Sequence, residues 1–231
     1  MLRTVALALA VVVYPAAAGA QSFGSIFTEL PADFGRMAGP TNLLVLGASG
    51  AGSLVVHPKD EEIIARADRD GFYEPGNVLG DGATHAAAGL AIFIGGHLTH
   101  NARTALIGAD LLRAQIVSGA IADGIKYSTN RTRPDGGRHS FPSGHASSAF
   151  AAAAVLQGHF GWKAAVPSYL VATYVAAARV ETRHHFASDV LFGAGIGIAA
   201  GRAVTFERAN RRITVAPTVT LNSAGFAVSI N

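Results

Sequence analysis

Phe141-Pro142-Ser143-Gly144-His145 is a tight polar turn that runs straight into the Ala-rich stretch Ser147 to His159. Ser143 is placed to cap a helix, and Gly144 lets a ligand approach the backbone closely. A helix that opens here presents free amides and the positive end of its dipole to the space in front of it. His145, in the first turn, points toward that space. Its ring titrates near neutrality, so it can donate a proton to a leaving alcohol oxygen. Taken alone, the turn reads equally well as an ordinary capped helix with an exposed histidine.

Two flanking clusters change the balance. Upstream, Lys126-Tyr127-Ser128-Thr129-Asn130-Arg131-Thr132-Arg133-Pro134 closes a long helical pattern. A basic helix end that answers the macrodipole is its bland reading. Lys126 and Arg133 can still converge on one anion if the helix ends between them, a mobile point charge beside a planar fork. Arg131 adds a further cation. Downstream, Arg179 precedes His184-His185-Phe186-Ala187-Ser188-Asp189. His185 and Asp189 are four apart and share a helix face, so the carboxylate can hold one ring nitrogen and leave the other as a nucleophile. His184, five from Asp189, is the alternative. A His/Asp metal site competes, but adjacent histidines diverge on a helix and no HExxH pattern occurs, so neither metal nor other cofactor is expected. His139 lies close enough in sequence to touch substrate. His57, His85, His97, His100 and His159 sit at segment ends and read as surface or capping groups.

Composition sets the frame. The chain has 231 residues, 50% hydrophobic and 14% charged, with net charge +3 and no cysteine. Disulfides, thiolate metal sites and cysteine nucleophiles are excluded. The slight net charge does not signal nucleic-acid binding, and the local basic cluster from Lys126 to Arg138 suits a small anion better than a polymer. Met1-Leu2-Arg3, the apolar run Thr4 to Val13 and Ala18-Gly19-Ala20 read as a signal peptide over residues 1–20. Export to the periplasm is expected, the alternative being an uncleaved anchor with the site facing the periplasm.

Residues 21–212 then form one helical domain, and 213–231 a β-like tail. Helices are expected over Thr41 to Val56, Pro58 to Arg69, His85 to His97, Ala102 to Ile125, Ser147 to His159, Ala164 to Val180 and Ser188 to Arg208, with a loop from Asp70 to Asp81. None holds eighteen uninterrupted apolar residues, so these lengths favour a buried core over membrane spans, with a membrane protein as the alternative. Gly193, Gly197 and Gly201 make a small-residue packing face. In the tail, alternation broken at Pro217 and a turn at Asn222 to Gly225 suggest a short hairpin.

In combination, the three clusters resemble the type 2 phosphatidic acid phosphatase superfamily, whose pattern is K-x6-RP, PSGH and SR-x5-H-x3-D. Lys126 and Arg133-Pro134, Pro142 to His145, then Arg179, His185 and Asp189 match in order and spacing, which also selects His185 over His184. Ala178 departs from the usual serine. The resemblance implies an all-α bundle of the acid phosphatase/vanadium haloperoxidase type with its site at one end. Lys126, Arg133, Ser143, Gly144 and Arg179 would bind phosphate, and His185 would attack phosphorus. His145 would serve as acid and then base, and Asp189 would orient His185 without a metal. The expected partner is a phosphorylated small molecule or lipid, with no nucleic acid and with membrane association open. The leading reading is a metal-independent phosphomonoesterase. The alternatives are an isoprenoid or lipid pyrophosphate phosphatase at the membrane, a vanadate-dependent haloperoxidase, or a non-enzymatic exported packing protein.

Overall fold

Helix starts fall where the sequence supplies a cap. In a computed structural model, which describes residues 22–67, 71–205, 213–220 and 223–230, Asp81, Asn101 and Ser143 each accept a hydrogen bond from the amide three residues on. These caps open α6 (Gly82–Leu98), α7 (Ala102–Thr129) and α8 (Gly144–Phe160). A proline in the first turn starts α3 (Pro40–Val56). The Ser22 to Pro40 lead-in forms α1 (Phe23–Thr28) and α2 (Leu30–Met37), and a 3-10 turn leads into α4 (Asp60–Ala65). Between Asp70 and Asp81 a 3-10 turn precedes the short helix α5 (Pro75–Leu79), where the sequence suggests only a loop. Then come α9 (Trp162–Glu181), with Pro167 inside it, and α10 (Ala187–Thr205). The signal-peptide segment lies outside the described residues.

Helix α8 is the axis of the bundle, packed by α7, α9 and α10. Its alanines make the close approach tolerable, and glycines on α10 make it closer. A Cβ on Gly193, Gly197 or Gly201 would fall 2.4, 2.2 and 2.6 Å from the carbonyl oxygens of Ser143, Ser147 and Ala151. The four-residue glycine repeat is therefore a backbone-to-backbone seam that fixes the start of α10 against the Ser143 turn. On the opposite face of α10, Gly195 receives Ser49 of α3 in the same way.

A second anchor lies deep on α7. Arg113 is fully buried and pairs with Glu29 (2.5 Å), Asp33 (3.2 Å) and Asp110 (2.8 Å). His159 meets Asp110 at 2.9 Å, and Arg36 joins Asp33 to the Ala203 carbonyl. This network ties α1 and α2 to α7, α8 and α10. Arg113 lies thirteen residues before Lys126, which at about 1.5 Å per residue puts it roughly 20 Å from that end of α7.

The expectation of core-length helices needs correction. Helices α7 and α10 are long and apolar enough to cross a membrane, at mean hydropathy 1.4 and 1.3, and α1–α2 with α3–α4 form a pair bent by 65° that passes the same test together. An unbroken apolar run is too strict a criterion, because charged residues such as Asp110 and Arg113 are paired inside the fold and need not meet lipid. The apolar surface lies on other helices: Leu44, Leu54, Leu98 and Leu170 are 72%, 75%, 76% and 66% exposed. Exposed leucines on α3, α6 and α9 put an apolar face on the outside of the bundle.

The terminal segment, described by itself, is an antiparallel hairpin of β1 (Ile213–Thr220) and β2 (Ser223–Ile230), with Ile213 opposite Ile230. Strand β1 continues through Pro217, which pairs with Phe226. A two-stranded ribbon leaves each strand an open edge where a missing N–H is tolerated. β2 begins at Ser223, so Ser223 to Gly225, expected in a turn, lie in the strand.

The seam can be tested by contrast. Gly197→Ala should destabilise by about 1–3 kcal/mol through overpacking. Gly95→Ala on α6, where a Cβ meets nothing within 4 Å, should be neutral or stabilising by about 0.5–1 kcal/mol. Thermal unfolding in detergent measures both.

Candidate active site

The seam brings three separated stretches together at one end of the bundle. Ser143, at 0% exposure, caps α8 and donates its amide to the Asp189 carbonyl at 3.0 Å. Lys126, in the last turn of α7, reaches over Gly144, where an added Cβ would stand 2.8 Å from Nζ. The chain leaves α7 at Asn130 in a left-handed conformation (φ 44°). It then turns with the Arg133 amide on the Gly137 carbonyl and returns at Ser140, whose amide bonds to Arg131. The Phe141–Pro142 peptide is cis.

His185 sits in the link between α9 and α10 and is 1% exposed. Its Nδ1 lies 2.7 Å from the Ser140 carbonyl and 3.7 Å from Asp189 Oδ2. A carbonyl only accepts, so Nδ1 carries the proton and Nε2 keeps its lone pair. The expected carboxylate clamp on the ring is thus replaced by a main-chain one, because Asp189 is committed elsewhere. Its Oδ2 accepts from Ser140 Oγ and the Phe186 amide at 2.5 and 2.9 Å, and its Oδ1 accepts from Arg131 at 2.6 Å. Asp189 holds the residue that holds His185. Burial, with Arg179 nearby, pushes the His185 ring down to about 4. His184 pairs with Thr182 Oγ1 at 2.8 Å.

Arg179, near the end of α9, is 4% exposed and donates to Asn77 Oδ1 of α5. His145 Nε2 lies 3.1 Å from the Asn77 carbonyl and donates to it. One residue of α5 therefore grips both the arginine and the histidine. Arg133 and Arg179 lie close enough to act on each other's charge, as do His145, Arg179 and His185. The buried Nε atoms of Arg133 and Arg179 have no hydrogen-bond partner among the described residues. Two guanidinium N–H groups, the Lys126 ammonium and the amides at the start of α8 make a cationic cradle with unspent donors. An anion with several oxygens would satisfy them.

Six of the eight residues singled out for the site thus gather here with open polar capacity: Lys126, Arg133, Ser143, Gly144, His145 and Arg179. Ser143 Oγ already accepts from the Ala146 amide at 3.4 Å. His185 stands among them, and Asp189 lies behind it. Arg131 does not join the cradle. It links Asp60 (2.9 Å), Ser188 (2.8 Å) and Asp189 while lying 4.2 Å over the Phe186 ring. His139 Nδ1 approaches the Lys126 carbonyl at 3.4 Å, and its ring meets Tyr127 edge-on. Asn77 was not foreseen, since a five-residue helix in a Gly/Pro-rich run has no readable period. Its entry depends on small neighbours. A Cβ on Gly76 would fall 2.3 Å from Ala178 Cβ, so the glycine lets α5 settle onto α9.

Comparison with known proteins agrees with this geometry. Residues 107–212 match the family model described as PAP2 superfamily. A lipid A 1-phosphatase of Porphyromonas gingivalis is 39% identical over 97 residues, which cover 40% of this chain and 22% of the relative, so the chain matches about a fifth of that protein's length. The crystal structure of a transmembrane PAP2-type phosphatidylglycerolphosphate phosphatase from Bacillus subtilis superposes with a TM-score of 0.50 at 20% identity, covering 83% of this chain and 98% of the other. That likeness establishes the all-α fold. With the family match and the ordered motifs on one cradle, residues 107–212 are what make this chain similar to the PAP2 superfamily.

Proposed function

We propose that the chain is a membrane-embedded phosphatase that hydrolyses phosphate monoesters of a lipid through a phosphohistidine. The observation that carries this is the pairing of a buried, neutral His185 with a cradle of unspent cationic donors beside His145. Lys126, Arg133, Arg179, the Ser143 hydroxyl and the Gly144 amide hold the phosphoryl oxygens. The Nε2 lone pair of His185 forms the new bond to phosphorus as the ester P–O bond breaks. Burial and Arg179 push the resting His145 ring down to about 4. The phosphate dianion beside it favours the charged form, which gives the leaving oxygen its Nδ1 proton while Nε2 stays on the Asn77 carbonyl. Water then attacks the phosphohistidine, His145 takes its proton, and phosphate leaves. The fixed cations supply the charge neutralisation, so no metal step is needed. The exposed apolar band on α3, α6 and α9 and the length of α7 and α10 support a bilayer setting. Residues 1–20 read as an export signal, which puts the site on the periplasmic side.

Assay of purified protein in detergent against phosphatidic acid and small phosphomonoesters, with EDTA present, tests this. Activity should survive EDTA, fall to background in His185→Ala, and drop about 10²–10⁴-fold in His145→Ala. Loss in EDTA, or activity in His185→Ala, would overturn the mechanism. Asn77→Ala frees Arg179 and should lower kcat more than it raises KM, while Asn77→Asp, which still accepts from Arg179, should recover part of the loss.

The depressed His185 ring gives a pH signature. Above about 4 it is neutral and nucleophilic. As pH falls through that value it takes up a proton and the lone pair is lost. Ring-proton NMR titration should reveal two histidines with midpoints near 4, His185 and the likewise buried His145, and only one of them should remain in His185→Gln. A midpoint near the ordinary 6.5 would refute the buried setting.

A further inference from the structure

A cavity of about 480 Å³ opens beside the cradle, between α6, α7 and α8. Lys126, Gly144 and His145 form one wall, whereas His185 does not line it. In an in-line displacement the leaving group departs on the side opposite the nucleophile. A cavity that touches the proton donor and not the nucleophile therefore lies on the leaving-group side. Its other walls are chemically mixed. Gln115, Ser118 and Ser148 lie deep within it, and Asp81 and Asp123 add carboxylates. Between them stand small residues, among them Ala83, Ala86 and Gly119, which leave room without adding hydrocarbon bulk. Gln115 and Ser148 bond to each other, with Ser148 Oγ on Gln115 Oε1 at 2.6 Å and Gln115 Nε2 on the Ser148 carbonyl at 3.2 Å. They form a rigid polar floor.

A second cavity of about 370 Å³ offers a contrast. It lies on the other side of the Phe141 turn and is lined by Leu54, Phe141 and Phe192 together with Gly50, Ser53 and Arg131. Arg131 is already paired with Asp60 and Asp189. That space offers aromatic and aliphatic walls, while the first offers fixed acceptors next to the acid.

We propose that the cavity between α6, α7 and α8 receives the leaving alcohol and selects a hydroxylated headgroup of glycerol or sugar size over a hydrocarbon chain. The proposal rests on the phosphatase reading above. Carboxylates accept from vicinal hydroxyls, whereas an alkyl chain would desolvate Asp81 and Asp123 without return.

Two substrate pairs and two variants test it. For the wild-type enzyme, kcat/KM should be at least tenfold higher for glucose 1-phosphate or glycerol phosphate than for hexyl phosphate. A Cβ at Gly119 meets nothing within 4 Å, so a larger side chain there projects into open space. In Gly119→Leu, the kcat/KM ratio of glucose 1-phosphate to methyl phosphate should fall at least tenfold. Ala83→Leu, from the facing helix, should shift the ratio the same way and serves if the first variant does not fold. An unchanged ratio in a folded variant, or wild-type preference for hexyl phosphate, overturns the assignment. Wild-type enzyme inactive on every phosphomonoester would instead refute the phosphatase reading itself.

Discussion

The site depends on one contact: the backbone of α10 lies directly on the backbone of α8. Gly193, Gly197 and Gly201 leave no side chain between the helices, and the carbonyls of Ser143, Ser147 and Ala151 occupy the space. Any larger residue would push the N-terminus of α10 away from the Ser143 turn. The Ser143 amide would then lose the Asp189 carbonyl, and His185 would lose its register with Ser140. The positional tolerance of a reacting group is a fraction of an ångström to an ångström. A packing feature with no charge of its own thus sets the chemistry.

Around that contact the polar groups are arranged in relays rather than in direct pairs. Asp189 orients Ser140, whose carbonyl orients His185. Asn77 orients Arg179 with its side chain and His145 with its main chain. Arg131 gives up its charge to Asp60 and Asp189 and so stiffens the approach of α4 to α10. Buried polar networks of this kind are costly when half satisfied. Among the buried groups left without a partner are two in the cradle, the Nε atoms of Arg133 and Arg179.

Much of this was legible in the chain itself. The three clusters carry internal spacings that only make sense if they meet, and the caps Asp81, Asn101 and Ser143 mark helix starts within a few residues. Two things were hidden. The partner of His185 follows from a main-chain carbonyl, and sequence spacing to Asp189 cannot distinguish a direct bond from a relay. Arg131, two residues from a cradle arginine, looks identical to it in sequence, and only the position of Asp60 shows that its charge is spent. The membrane question turned on the same point. Charges interrupt the apolar runs, and their burial in pairs could not be read before the helices were placed.

Ala178 and Gly76 have a consequence for how this scaffold can vary. Their mutual smallness is a lock-and-key fit between the motif-bearing helix α9 and a segment that belongs to no motif. A side chain at position 76 would run into Ala178 Cβ and lift Asn77 from Arg179. The segment from Gly71 to Gly80 and the face of α9 at Val175 and Ala178 are therefore fitted to each other. A graft of either alone into a related scaffold would bring a clash or a gap, and only the two together would carry the grip on Arg179 and His145.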